Sequence, residues 1–146
     1  MLSIKLREEL REEKGGVYGV RANGFVARSP HEARTFTIGF GCDPKRVDEL
    51  VKSTFDEIAK IKKDGANAED LAKVKETFVR SRETELRTNA FWIDWLVKAY
   101  RYNEDPAVVL QSDQVIARMT SDNVKASAKK YLDDKQYFQA VLLPEK

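Results

Sequence analysis

The sequence is poor in the residues that build metal and thiol chemistry. Its 146 residues include one cysteine, Cys42, and one histidine, His31. A lone cysteine excludes an internal disulfide. Zinc sites draw several ligands from His, Cys and carboxylates at set spacing. Here the two candidates fall in a strand and a loop with no close partner, so no metal site is expected in this chain. No Gly-x-Ser-x-Gly elbow is present, which removes one common nucleophile arrangement. No apolar run reaches the roughly 18–20 residues that span a bilayer. The first residues show no basic-then-apolar leader pattern. An excess of one charge is also missing: 26 basic against 24 acidic residues leave +2. That balance argues against nucleic acid as a partner by bulk electrostatics.

What is present is charge, distributed along helices. Residues 2–14 carry Leu2, Leu6 and Leu10 at four-residue spacing among Arg, Lys and Glu. This spacing predicts an amphipathic helix with a narrow apolar stripe. Gly15 and Gly16 supply its left-handed stop. Residues 17–28 read as a strand with Tyr18, Val20, Ala22 and Val26 on one face and Val17, Arg21, Asn23 and Phe25 on the other. Ser29 to Glu32 turn the chain, Pro30 fixing φ. Residues 33–42 alternate: Phe36, Ile38, Phe40 and Cys42 against Thr35, Thr37, Gly39 and Gly41. The two strands form an antiparallel hairpin, and the Thr/Gly face reads as a smooth surface on which another chain can lie.

Asp43-Pro44 opens a helical stretch, Asp as cap and Pro at the first position. Helices fill residues 44–132. Val47, Leu50, Val51, Phe55, Ile58 and Ile61 form a wide apolar face, and Asn67 caps the next helix. Phe91, Trp92, Trp95, Leu96, Ala99 and Tyr100 concentrate aromatic bulk in one helical segment, which at this spacing reads as core, with Trp92 and Trp95 unable both to point inward beside Phe91 and one of them left for an interface. Thr120 to Asn123 cap a last helix with Val124, Ala128, Tyr131 and Leu132 inside. Residues 136–143, QYFQAVLL, read as a third, covered strand. The expected fold is α+β, with helices packed on one face of a mostly antiparallel sheet, in one domain spanning residues 1–146. The abrupt helical start and thin sheet point to a piece of a longer protein, lacking an opening strand. Its compartment is then not readable from its first residues.

Few residues offer chemistry. Cys42 points with the phenylalanines and reads as a buried structural thiol. The carboxylates lie on faces dense with Lys and Arg, the pattern of solvated surface. Lys14-Gly15-Gly16 follows a helix instead of opening one, so it lacks the positive helix end that a phosphate cradle uses. Arg11 and Tyr18 remain, an Arg-x6-Tyr pair across a helix–Gly–strand junction. They have a plain structural explanation as a surface charge and a favoured strand residue. Together they also suit a peptide: Arg binds a carboxylate or carbonyl, and a phenol donates to a carbonyl oxygen as charge builds on it.

LREELREEKGGVYGV, the hairpin after it, the GFGCDP strand-to-helix junction and the Met-Thr-Ser-Asp-Asn-Val helix start occur here in one order. From about Leu2 to Leu143 the chain resembles the pitrilysin/insulinase-like (M16) zinc metallopeptidases, and most of all a C-terminal-type domain of a bacterial member. The resemblance implies a clamshell of homologous αβ domains. One half carries an inverted His-x-x-Glu-His zinc motif; the other has lost it. This sequence has no His-x-x-Glu-His and so matches the non-catalytic, substrate-binding half. By the resemblance, Tyr18 donates to the carbonyl under attack and Arg11 anchors peptide backbone. Zinc and the general base then come from a separate catalytic M16 domain, in the same chain or another. The partners implied are that domain and a peptide substrate, with no nucleic acid and no membrane. An uncovered sheet edge also invites self-association. Bacterial relatives occur in periplasm and cytoplasm, and the sequence chooses neither. The alternative is a proteolytically inactive scaffold or assembly subunit of the same fold.

Overall fold

The chain's longest apolar stripe and one face of its hairpin contribute to a single core. In a computed structural model that describes residues 1–143, the elements follow one another as helices, two strands, then helices. Helix α1 spans Leu2–Leu6 and runs on as a π-helical segment over Arg7–Glu13. Strands β1 (Val17–Ala27) and β2 (Ala33–Cys42) follow. Helices α2 (Val47–Asp64), α3 (Ala68–Glu85), α4 (Asn89–Arg101), α5 (Ser112–Arg118) and α6 (Ser121–Tyr131) complete the order. This is the α+β arrangement expected, with helices on one face of an antiparallel sheet.

The strands pair from Ala27 opposite Ala33 to Val17 opposite Cys42. Ala22, Ile38, Phe40 and Cys42 lie against a buried cluster of Leu2, Leu6, Leu10, Val17, Val20, Leu50, Ile58, Ile61 and Ala128. The core therefore unites α1 and its π extension, one sheet face, α2 and α6. The π segment has a geometric use. In an α-helix of 3.6 residues per turn, a strict four-residue spacing drifts about 40° per step. A π turn, closed by i→i+5 bonds, is wider and drifts the other way. Joining the two keeps Leu2, Leu6 and Leu10 on one side, and all three are buried.

Caps fall where expected. Asp43 Oδ1 accepts from Lys45 N–H, and Asn67 Oδ1 accepts from Asp70 N–H. Thr120 Oγ1 accepts from Asn123 N–H. Gly65 ends α2 at φ +80°, and an added Cβ would lie 2.7 Å from the Ser121 carbonyl oxygen. Ser121 Oγ both accepts from Ala66 N–H and donates to Ala66 O, so the α2–α3 turn is latched to the start of α6.

Three expectations need correction. Residues 136–143 form no strand. Strands β1 and β2 pair only with each other among the described residues. An extended segment without a neighbouring ladder leaves its backbone groups to water. Phe138 is accordingly 90% exposed, and Tyr137 lies edge-on against Phe55 at 4.8 Å. The aromatic helix α4 is core only in part. Ala99 is buried, Phe91, Trp92 and Trp95 are half-buried, and Ile93, Val97 and Tyr100 are exposed. The indoles instead bind local backbone, Trp92 to Leu86 O and Trp95 to Pro106 O, both at 2.9 Å. Tyr131, expected inside, is exposed and lies under the Arg34 guanidinium.

Candidate functional site

The junction between the π segment and β1 is built by three glycines and a clamp. Lys14 N–H donates to Glu9 O, and Gly16 N–H donates back to Leu10 O at 2.9 Å. Gly15 between them sits at φ +56°, where only glycine is free of strain. Gly16 passes so close to α2 that a Cβ would meet Leu50 Cδ2 at 2.6 Å. The turn is fastened by Arg46, whose two terminal nitrogens each lie 3.3 Å from the Lys14 carbonyl oxygen. Glu49 holds that guanidinium through two bonds, Nε at 3.0 Å and Nη2 at 3.1 Å. Hydrogen bonding to Arg46 holds the Glu49 carboxyl below its usual range.

The third glycine, Gly19, belongs to a β-bulge. Val17 pairs with Cys42 and Val20 with Phe40, so Tyr18 and Gly19 together face the one residue Gly41. A bulge adds one residue and breaks the strand's alternation. Val17 and Val20 therefore both point into the core, and Tyr18 does not share the face of Val20 as the alternation predicts. Its side chain is thrown outward and is 99% exposed. The tyrosine side chain has no hydrogen-bond partner among the described residues, yet it projects from backbone fixed on both sides. Arg11, in the last turn of the π segment, is likewise exposed. Neither side chain has a partner among the described residues, and no contact joins them; each is left free from its own side of the Gly15-Gly16 turn.

Beside Tyr18, the polar face of the hairpin forms an open groove of about 690 Å³. Its lining is Gly19, Arg21 and Asn23 of β1, Thr37, Gly39 and Gly41 of β2, and Arg7 from the helix, with apolar Val20 and Phe40 beside them. This is the Thr/Gly surface read from the sequence. The sequence reading missed the contribution of Arg7, which only the helix-to-sheet packing brings to the sheet. Alternation groups Arg21 with Asn23 on one face of β1, but nothing in their spacing marks them as lining a groove.

The two residues that most readily ligate zinc lie apart. His31 lies in the β1–β2 loop and Cys42 at the far end of β2, half-buried against the core. Among the described residues no three His, Cys, Asp or Glu side chains converge on one point.

Comparison with known proteins supplies the family. The profile described as Peptidase M16 inactive domain matches residues 2–78, just over half of the chain. An Arabidopsis thaliana protein named zinc protease PQQL-like is 24% identical over the whole chain, which covers 17% of it. The probable zinc protease PqqL of Escherichia coli is 26% identical across 99% of the chain and 16% of its own length. The crystal structure of that periplasmic protease superposes on 90% of the chain, and on 14% of itself, with a TM-score of 0.72. A peptidase M16 inactive domain from Pseudomonas fluorescens, 22% identical, has the same fold, with a TM-score of 0.74 over 88% of this chain and 30% of that one. The chain thus spans about a sixth of the length of its curated relatives. Profile, relatives and fold agree: the chain belongs to the M16 peptidase family, as an inactive domain of the kind found in zinc proteases.

Proposed function

We propose that this chain is the substrate-binding half of a zinc metallopeptidase, pairing with a catalytic M16 domain in the same or a partner chain. The carrying observation is Tyr18, turned out of the core by a bulge and fixed on a clamped junction. A phenol so held is ready to donate to a peptide carbonyl oxygen as it gains charge. Arg11 holds the peptide backbone, and the Thr/Gly face forms part of the wall along which the peptide lies. Zinc, the attacking water and the base belong to the catalytic domain. In the complete protein, Tyr18→Phe lowers kcat by about 10- to 1000-fold, the scale of losing one oxyanion donor. The measurement is steady-state hydrolysis of a quenched peptide. Unchanged kcat sinks the role of Tyr18.

A further inference from the structure

The groove beside Tyr18 is basic, Arg7 and Arg21 being its charged lining residues. Arg7 and Arg21 line the groove, and neither has a carboxylate within 4.0 Å among the described residues. No Asp or Glu is among the lining residues. The sheet face that lines the groove carries little side-chain bulk. Arg21 pairs across the ladder with Gly39, and Asn23 with Thr37. A Cβ added at Gly19, Gly39 or Gly41 would meet nothing within 4 Å. A peptide backbone can therefore approach the sheet face closely. Asn23 and Thr37 offer an amide and a hydroxyl to it, and the two arginines, exposed to water, add positive charge to the lining.

We infer that this groove is a specificity subsite for a peptide carboxylate, bound between Arg7 and Arg21. It rests on the reading of this chain as a peptide-binding domain, and adds the chemical class that the domain selects. Two guanidinium groups with no internal carboxylate recover their hydrogen bonds only from a ligand anion or from water. A ligand carboxylate gives charge-assisted bonds that water does not. A neutral side chain of the same shape leaves that gain unrealised. The carboxylate can be an internal Glu or Asp side chain, or the peptide's C-terminus.

The test is a binding measurement, independent of turnover. The complete protein is treated with a chelator so that peptides stay intact. Fluorescein-labelled decapeptides differing only in Glu or Gln at one position, each with a free or amidated C-terminus, are titrated by fluorescence anisotropy. A carboxylate-bearing peptide binds at least about tenfold more tightly than its fully neutral counterpart, as expected for charge-assisted pairing. The preference shrinks with added salt. Comparing the amidated Glu peptide with the free-ended Gln peptide shows which carboxylate is read. In the Arg7→Gln/Arg21→Gln double variant the charged and neutral peptides bind within about twofold of each other. Both arginines are exposed and unpaired, so the unfolding midpoint stays unchanged. Gly39→Leu, which fills the open floor, weakens all four peptides. Equal wild-type affinity for charged and neutral peptides overturns the subsite, as does a preference that survives in the double variant. Loss of the Tyr18→Phe effect on turnover bears on the catalytic reading alone.

Discussion

At the scale of single residues, the strongest electrostatic commitment is Asp70. Its side chain is 3% exposed and lies 2.7 Å from Lys5 Nζ, joining the first turn of α3 to α1. It also accepts from Asn67 Nδ2, closing a reciprocal cap with the bond from its own N–H to Asn67 Oδ1. Burial pushes the carboxyl up, but the Lys5 hydrogen bond and charge, with Asn67, outweigh it and leave the carboxyl below its usual range. A depressed folded value means the stabilisation is complete above the unfolded carboxylate value of about 3.9 and is lost as pH falls through the folded one. Asp70→Asn removes the ion pair and costs about 2 kcal/mol at pH 7, below a fully buried pair because Lys5 keeps some contact with water. Urea unfolding at pH 7 and pH 3 checks this: the gap between wild type and variant narrows at the acid end. An equal gap at both pH values assigns the cost to packing instead. Asn67 as a cap was legible from the sequence. The Lys5 partnership was not, because 65 positions separate the pair and only the α1–α3 approach joins them.

The element that matters most is the turn from the π segment into β1. Its glycines were legible as a helix stop, because a left-handed residue at a helix end is a local requirement. The register of β1 was not. Strict alternation puts Tyr18 with Val20, and the bulge reverses it. A signal was present in Val17 and Val20, two strand-forming apolar residues three apart with Gly19 between them, a spacing that alternation cannot bury on one face. Arg46 was also unmarked, since its service to the Lys14 carbonyl depends on α2 lying beside the turn. Arg46→Met removes both bonds to that carbonyl while keeping a long side chain. The expected outcome is faster amide hydrogen exchange at Gly15, Gly16 and Val17, because the turn opens locally more often once unfastened. Exchange rates unchanged at these amides show that the Gly16–Leu50 contact holds the turn without the clamp.

For the whole molecule, many large apolar side chains stand exposed on the described surface. Phe138 and Leu142 project from the unpaired segment after α6, and Ile93, Val97 and Tyr100 form an exposed stripe on α4. The two-stranded sheet leaves backbone edges uncovered among the described residues. Such surfaces drive association. Studied alone, this chain self-associates as its concentration rises through the micromolar range, seen as a rising weight-average mass in sedimentation equilibrium. Phe138→Ser with Leu142→Ser lowers that tendency. A monomer at every concentration shows that these surfaces are tolerated by solvent.

The sequence alone determined the helix periods, the caps, the hairpin and the family likeness, because each rests on neighbours within a few residues or on motif order. It also singled out Arg11 and Tyr18, by elimination and resemblance. Tertiary structure decided the rest. It broke the alternation at Tyr18, since a bulge is fixed by what both strands bury. It brought Arg7 beside Arg21, since helix-to-sheet packing has no local code. It left residues 136–143 without a ladder, since a strand's propensity is realised only where a partner edge exists.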